Sequence, residues 1–158
     1  ATKLTAGMGR PSHAYTYYPS PWNLLDNFVF EGEIEFHTND AAYDKANIVF
    51  RTTGRFGAND GYQLYLNDDG AYSVSYASKG NLFDLIPLQS TAALKRGYAK
   101  NRFRIVALDS LFELYWNDQF VATFHDERFE RGTVGMMVSA GVWASFDNFK
   151  VWEIRRKK

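Results

Sequence analysis

The stretch that decides the fold begins at Asn101 with NRFRIVAL, Asn101–Leu108, and continues through LFELYW, Leu111–Trp116. Both segments alternate apolar and polar residues with a period of two, the signature of strands with one buried face. Asn117-Asp118 between LFELYW and FVATF, Phe120–Phe124, has the chemistry of a tight two-residue hairpin turn. After the loop HDERFERG come two more strands, Thr133–Ser139 (TVGMMVS) and Ser145–Val151 (SFDNFKV). Five strands in a row, each separated by turn residues, predict an antiparallel sheet region with no helix in it.

Upstream the pattern continues. In NFVFEGEIEFH, Asn27–His37, the residues Phe28, Phe30, Ile34 and Phe36 fall on one face, and Val29, Glu31, Glu33 and Glu35 on the other. Ala46–Thr53, Tyr62–Leu66, Ala71–Ala77 and Leu82–Leu88 read as further strands, and Asn67-Asp68-Asp69-Gly70 as a hairpin turn. Pro87 marks its strand as an edge or an end, because proline cannot donate to a ladder. Thr91–Lys95 reads as one helical turn. The sum is about ten or eleven strands. That count and the regular turn spacing predict an all-β, antiparallel two-sheet jelly-roll sandwich. Residues 1–23 form a leader without a clean period. Ala14–Tyr18 is its one strand-like run, and residues 24–158 are the sandwich.

In order, the motifs N-R-F-R-I-V-A, L-Y-W-N-D-Q-F-V-A, F-E-R-G-T-V-G and F-D-N-F-K-V-W resemble the end of a laminin-G-like or concanavalin A-like sandwich. This is the lectin/glucanase superfamily, and the resemblance runs from Tyr15 to Glu153. It implies a fold. It leaves function open among sugar binders, glycosidases, adhesion modules and structural domains.

Composition narrows the classes. Eighteen basic and 18 acidic residues give a formal net charge of +0, which argues against a nucleic-acid partner. There is no cysteine, so no disulfide, thiolate metal site or cysteine nucleophile exists. No apolar run is long enough to span a bilayer as a helix. Ala1 in first position is compatible with a cleaved precursor and equally with an excised segment. Aromatics make up 17% of the chain, with 13 Phe, 10 Tyr and 4 Trp. Tyr and Trp join apolar area to a polar tip and suit cores, interfaces and sugar platforms alike. On this ground Tyr62, Tyr72, Tyr76, Tyr115, Trp116 and Trp143 include residues off the core face or in loops. Trp116 and Trp152 are expected to fill the core, and Tyr62, Tyr72, Tyr76 and Trp143 are the candidate carbohydrate-binding residues, Trp143 foremost because it lies next to Gly141 in a turn.

The acidic row Glu31, Glu33 and Glu35 is the sharpest catalytic pattern, since retaining glycosidases use two nearby carboxyl groups. It resembles the E-x-D-x-E strand of the laminarinase and lichenase family. Glu33 stands where that motif has Asp, and the strand comes early in this chain, so the row is expected to be a solvated face and not a catalytic set. Asp147 shares its parity with Phe149 and Val151, which puts it inside a regular strand or at a bulge. The superfamily resemblance implies a structural calcium at such an Asp, although the leader has no acidic residue before Asp26 to complete the site. The Asn39-Asp40/Asp44, Asn59-Asp60 and Asn67–Asp69 clusters read as turns. His13, His37 and His125 are too scattered for a metal site. Within residues 1–13 Leu4 and Met8 are the only large apolar side chains, too few to anchor the segment by burial, so residues 1–13 are expected to add as a strand to a neighbouring copy. The leading functional expectation is a non-catalytic, extracellular, lectin-like module that binds glycan or a partner surface. The alternatives are a self-assembling subunit of an extracellular filament or surface layer, and a β-glucan hydrolase.

Overall fold

The computed structural model describes residues 4–6, 15–17, 24–37, 45–53, 60–138 and 142–155, and no helix occurs among them. The strands are β1 (Leu4–Ala6), β2 (Tyr15–Tyr17), β3 (Phe28–Phe36), β4 (Lys45–Thr52), β5 (Gly61–Asn67), β6 (Ala71–Ser78), β7 (Asn81–Ser90), β8 (Asn101–Leu108), β9 (Leu111–Trp116), β10 (Gln119–His125), β11 (Thr133–Val138) and β12 (Ala144–Glu153). They form two six-stranded sheets, ordered β1-β12-β3-β8-β9-β10 and β2-β11-β4-β5-β6-β7. Every pairing is antiparallel. This is the jelly-roll sandwich that the alternation predicts.

Alternation places the core. Phe28, Phe30, Ile34 and Phe36 of β3 are all buried, as are Phe103, Ile105 and Ala107 of β8 and Phe112, Leu114 and Trp116 of β9. They meet Ile48, Phe50, Tyr62, Leu64, Leu66 and Val74 of the second sheet in one cluster. Ring contacts tie the sheets directly, Phe112 lying 5.7 Å from Phe50 and 5.0 Å from Tyr62 between centroids. Each such side chain withdrawn from water contributes roughly 1.5–3 kcal/mol before entropy is subtracted.

The turns follow their residues. Gly70 sits at φ 81 in the β5–β6 hairpin, where Asn67 Oδ1 accepts the N–H groups of Asp69 and Ala71 at 3.0 Å each. Asn117 and Asp118, at φ 51 and 65, turn β9 into β10 with both central residues left-handed. β7, the strand that holds Pro87, is a sheet edge. Thr91–Lys95 makes a turn and not a helix, closed by Leu94 N–H to Thr91 O at 3.3 Å and by Thr91 Oγ1 accepting from Ala93 N at 3.2 Å.

The leader corrects one expectation. Leu4–Ala6 pairs with Ala144–Phe146, and Tyr15–Tyr17 with Met136–Val138, all in the chain's own sheets. The expectation that residues 1–13 dock on a neighbouring copy concerns Leu4–Ala6, which pairs within its own chain; Tyr15–Tyr17 falls in the strand-like run Ala14–Tyr18. Without β1 and β2, the outer sides of β12 and β11 would be bare ladders of N–H and C=O groups. Covering them rewards a segment through backbone hydrogen bonds even when it has few apolar side chains to bury. Met8 lies outside the described residues.

Candidate functional site

The outer face of the first sheet is built by the residues that alternate with the core. Register across β12, β3, β8, β9 and β10 aligns Lys150, Glu31, Arg104, Tyr115 and Phe120 in one row. The next row toward one end carries Asp147, Glu33 and Arg102, and beyond it Ser145 stands beside Glu35. Toward the other end Trp152, Val29, Val106 and Glu113 share a row. The result is a charged centre framed by aromatic side chains.

The charged groups hold one another. Arg104 Nε donates to Glu31 Oε2 at 3.2 Å and Arg104 Nη2 to Asp118 Oδ1 at 2.9 Å. Arg102 Nη1 reaches Asp118 Oδ2 at 3.1 Å. Glu33 Oε2 takes a hydrogen bond from Asn148 Nδ2 at 3.0 Å and an ion pair from Lys100 Nζ at 3.5 Å. Pairs this exposed contribute little to stability. What they supply is fixed orientation, with donors and acceptors pre-set on a rigid sheet. Arg104 also lies over the Tyr115 ring, 5.4 Å from its centroid, and Phe120 meets Tyr115 edge-on at 5.7 Å. The Tyr115 hydroxyl donates to Glu113 Oε2 at 2.8 Å, which favours the protonated phenol and raises its pKa from the ordinary value.

A shallow dent of about 330 Å³ opens in the middle of this face, lined by Glu31, Gly32, Glu33, Arg102, Asn148 and Lys150. It lies beside the bulge in β12, where the register with β3 shifts between Asp147 and Lys150. Asn148 takes a left-handed φ of 53 there, which sends its amide outward to Glu33 and Phe149 inward.

A larger groove of about 870 Å³ lies at one end of the sandwich, among Asp26, Asp109, Asp126, Glu127, Glu130 and Arg131. Its central cation, Arg51, is a fastener. Nε and Nη2 donate to Asp26 O at 3.0 and 2.7 Å, and Nη1 to Asp109 O at 2.7 Å and Phe129 O at 3.1 Å. The guanidinium also sits 4.8 Å over the Phe112 ring, and burial lowers its pKa from the ordinary value. Nη2 also donates to Asn27 Oδ1 at 3.4 Å, so all five N–H donors are engaged, and Arg51 holds this end of the fold together with none to offer a ligand. The groove's aromatic residue, Phe129, is packed edge-on against Tyr62.

The sequence-derived candidates separate accordingly. Tyr62 is fully buried between the sheets, its hydroxyl donating to Asp126 Oδ1 at 2.6 Å and accepting Phe129 N–H at 3.3 Å. Burial and the bond to Asp126 raise its pKa. Tyr72 is buried as well, and burial raises its pKa too. Tyr76 is held between Phe83, stacked at 4.9 Å, and the Arg128 guanidinium, 4.2 Å from its centroid. None of these three rings presents a free plane to a sugar, because β5 and β6 turn that side of the strand toward the opposite sheet. Trp143 is partly exposed, 5.2 Å from the His37 ring, and His37 Nε2 contacts Ser145 Oγ. It therefore borders the outer face, while exposed Trp152 borders the opposite end.

Asp147 does not point inward. It faces out opposite Glu33 and accepts the Asn148 N–H at 2.8 Å. Among the described residues no group of three or more His, Cys, Asp or Glu side chains gathers as a metal site. Glu31, Glu33 and Glu35 stand on one outer face, as the alternation requires. His13, Asn39, Asp40, Asp44 and Asn59 lie outside the described residues. The sequence alone points to Tyr115 as one of several aromatics but not to Arg102, Arg104 and Lys150. The alternation in NRFRIVAL marks the two arginines as outward, but only the strand order sets them beside the glutamates.

No family model matches the sequence, and no curated protein matches it. Solved structures do match in fold. The chain superposes on the carbohydrate-binding module CBM66 from Bacillus subtilis with a TM-score of 0.75 at 19% identity, over 97% of this chain and 92% of that one. It is also similar to a putative glycosyl hydrolase from Parabacteroides distasonis, with a TM-score of 0.67 at 10% identity over 90% and 85% of the two chains. Sheep galectin-11, in a complex with glycerol, matches with a TM-score of 0.63 at 10% identity over 89% of this chain and 96% of its own. The fold is that of the concanavalin A-like jelly-roll sandwiches.

Proposed function

We propose that the chain is a non-catalytic, extracellular glycan-binding module and that the outer face of the first sheet holds the sugar. One observation carries this reading: the row Lys150–Glu31–Arg104–Tyr115 runs across four adjacent strands, and among the described residues no strand is laid over it. Carboxylates accept from sugar hydroxyls, guanidinium and amide groups donate to them, and an aromatic plane takes the C–H face of a ring. All of these groups stand together here, already oriented by their mutual bonds. Glu31 and Glu33 are engaged with Arg104 and with Lys100 and Asn148. Two carboxylates so held suit binding better than a hydrolase, which needs one carboxyl group as a proton donor. Most of the cations here are already paired with carboxylates, so a neutral polysaccharide fits better than a polyanion. The carbohydrate-binding module and the galectin among the structural neighbours point the same way.

Affinity electrophoresis through gels containing soluble neutral polysaccharides tests this. At least one polysaccharide should retard the protein, and Arg104→Ala and Tyr115→Ala should each reduce that retardation about tenfold or more, the loss of roughly 1.4 kcal/mol or more in binding. Equal mobility in every gel would refute the proposal.

A further inference from the structure

Two exposed indoles stand at opposite ends of the outer face of the first sheet. Regular alternation from buried Phe146 would carry Trp152 into the core. The bulge at Asn148 shifts the count by one, so Phe149 turns in and Trp152 turns out, 47% exposed beside Val29. Trp143, just before β12, is 37% exposed and stands opposite His37, whose backbone N–H donates to Trp143 O at 2.8 Å. The outward positions of β3 and its flank therefore run from Val29 beside one indole to His37 beside the other. That lane of eight residues is about 27 Å long at the rise of a strand, the length of roughly six sugar units in an extended chain.

Polar groups occupy the steps between the indoles. Glu31 lies opposite Lys150, Glu33 carries the Asn148 amide at 3.0 Å, and Glu35 follows. Resting on the glycan-binding reading of this face, we infer that the lane takes a linear, extended neutral polysaccharide along its length, parallel to β3 and β12. One sugar stacks on Trp152 and another on Trp143, while the carboxylates and amide between them meet the hydroxyls. An indole offers a large, rigid plane with little entropy to lose, and an exposed one is a platform for the C–H face of a sugar. A disaccharide or trisaccharide resting on one indole does not reach the other, so both are used only by a long chain. The dent between them is shallow, about 330 Å³, and no strand among the described residues walls it into a blind pocket for a chain end. The interior of a polysaccharide, and not its terminal sugar, is the part that fits. Occupying both platforms at once adds affinity without any new kind of contact.

Titration calorimetry with oligosaccharides of two to eight units tests the inference. The probes are prepared by partial hydrolysis of the polysaccharide that retards the protein in gels. Affinity should climb with length and level off near six units, with the hexasaccharide bound at least tenfold more tightly than the trisaccharide. Trp143→Ala and Trp152→Ala should each weaken hexasaccharide binding at least tenfold, and Trp→Phe at either position, which keeps a ring, should recover part of the loss. Phe120→Ala, at a residue 58% exposed on the β10 margin of the same face, should change binding less than twofold. All three side chains are exposed, and unaltered thermal unfolding would show that the fold is retained. Affinity already complete at the trisaccharide overturns the inference while leaving glycan binding intact. So does full hexasaccharide affinity in both tryptophan variants, or a larger loss in Phe120→Ala, which would run the chain across the strands instead. If no polysaccharide retards the protein, the glycan-binding reading falls and this inference falls with it.

Discussion

Gly32 and Phe149 share a single space: a Cβ on Gly32 would stand 2.7 Å from Phe149 Cδ1 and 2.9 Å from Phe103 Cε1. The cause is the β12 bulge, which turns Phe149 inward over the middle of β3 against Phe30 and Phe146. The residue beneath it has to be bare. Because Gly32 lies between Glu31 and Glu33, this core fit also sets the floor of the dent on the outer face.

Gly32→Ala is therefore expected to lower stability by roughly 1–3 kcal/mol through overpacking. Urea unfolding would measure it. Phe149→Leu in the Gly32→Ala background should recover part of the loss, whereas fully additive costs would mean that the two residues do not compete for space.

Arg51 makes a separate claim about the end of the sandwich. Arg51→Lys keeps the charge but offers fewer donors in a different geometry, and it strands carbonyls of Asp26, Asp109 or Phe129. The expected cost is roughly 1–3 kcal/mol. Hydrogen exchange should rise at the Asp109–Ser110 turn and around Phe129. Unchanged exchange at those sites would argue that the fastener is dispensable.

Tyr62 predicts an alkaline effect. Burial and the bond to Asp126 raise its pKa in the folded state. Below about pH 10, the ordinary tyrosine value, the phenol is protonated in both folded and unfolded chains and this contribution is fully present. Above it the unfolded chain releases the proton while the folded chain keeps it, so stability falls as pH rises toward the folded-state value. Tyr62→Phe removes that dependence and, by leaving Asp126 with one donor fewer, costs roughly 1.5–3 kcal/mol at neutral pH. Unfolding free energies at pH 8 and pH 11 should differ less in Tyr62→Phe than in the parent. An equal difference would show that Tyr62 does not titrate as its surroundings require.

Much of this was legible from residue order. Strict alternation in Phe28–Phe36 and Asn101–Leu108 gives the core face, and Asn67–Gly70 and Asn117-Asp118 give the hairpins, because local sterics decide both. Residues whose role depends on a partner far along the chain were not legible. Tyr62 and Tyr72 look like platforms until the opposite sheet is placed over them. Asp147 changes face because the bulge at Asn148 interrupts the count of two. Leu4–Ala6 finds its edge on β12, some 140 residues later, a pairing that no local pattern encodes. The candidate site was half visible: the glutamates of β3 were conspicuous, and the arginines of β8 became their neighbours only through strand order.

The most direct test of the glycan-binding account is a map of backbone amide chemical-shift changes on titrating the protein with neutral oligosaccharides. The account predicts changes concentrated on the outer face of the first sheet, at Glu31–Glu33, Arg102, Arg104, Tyr115 and Asn148–Lys150, with the end groove around Arg131 and the β7 edge unmoved. Changes centred on the end groove, or none with any sugar, would contradict it.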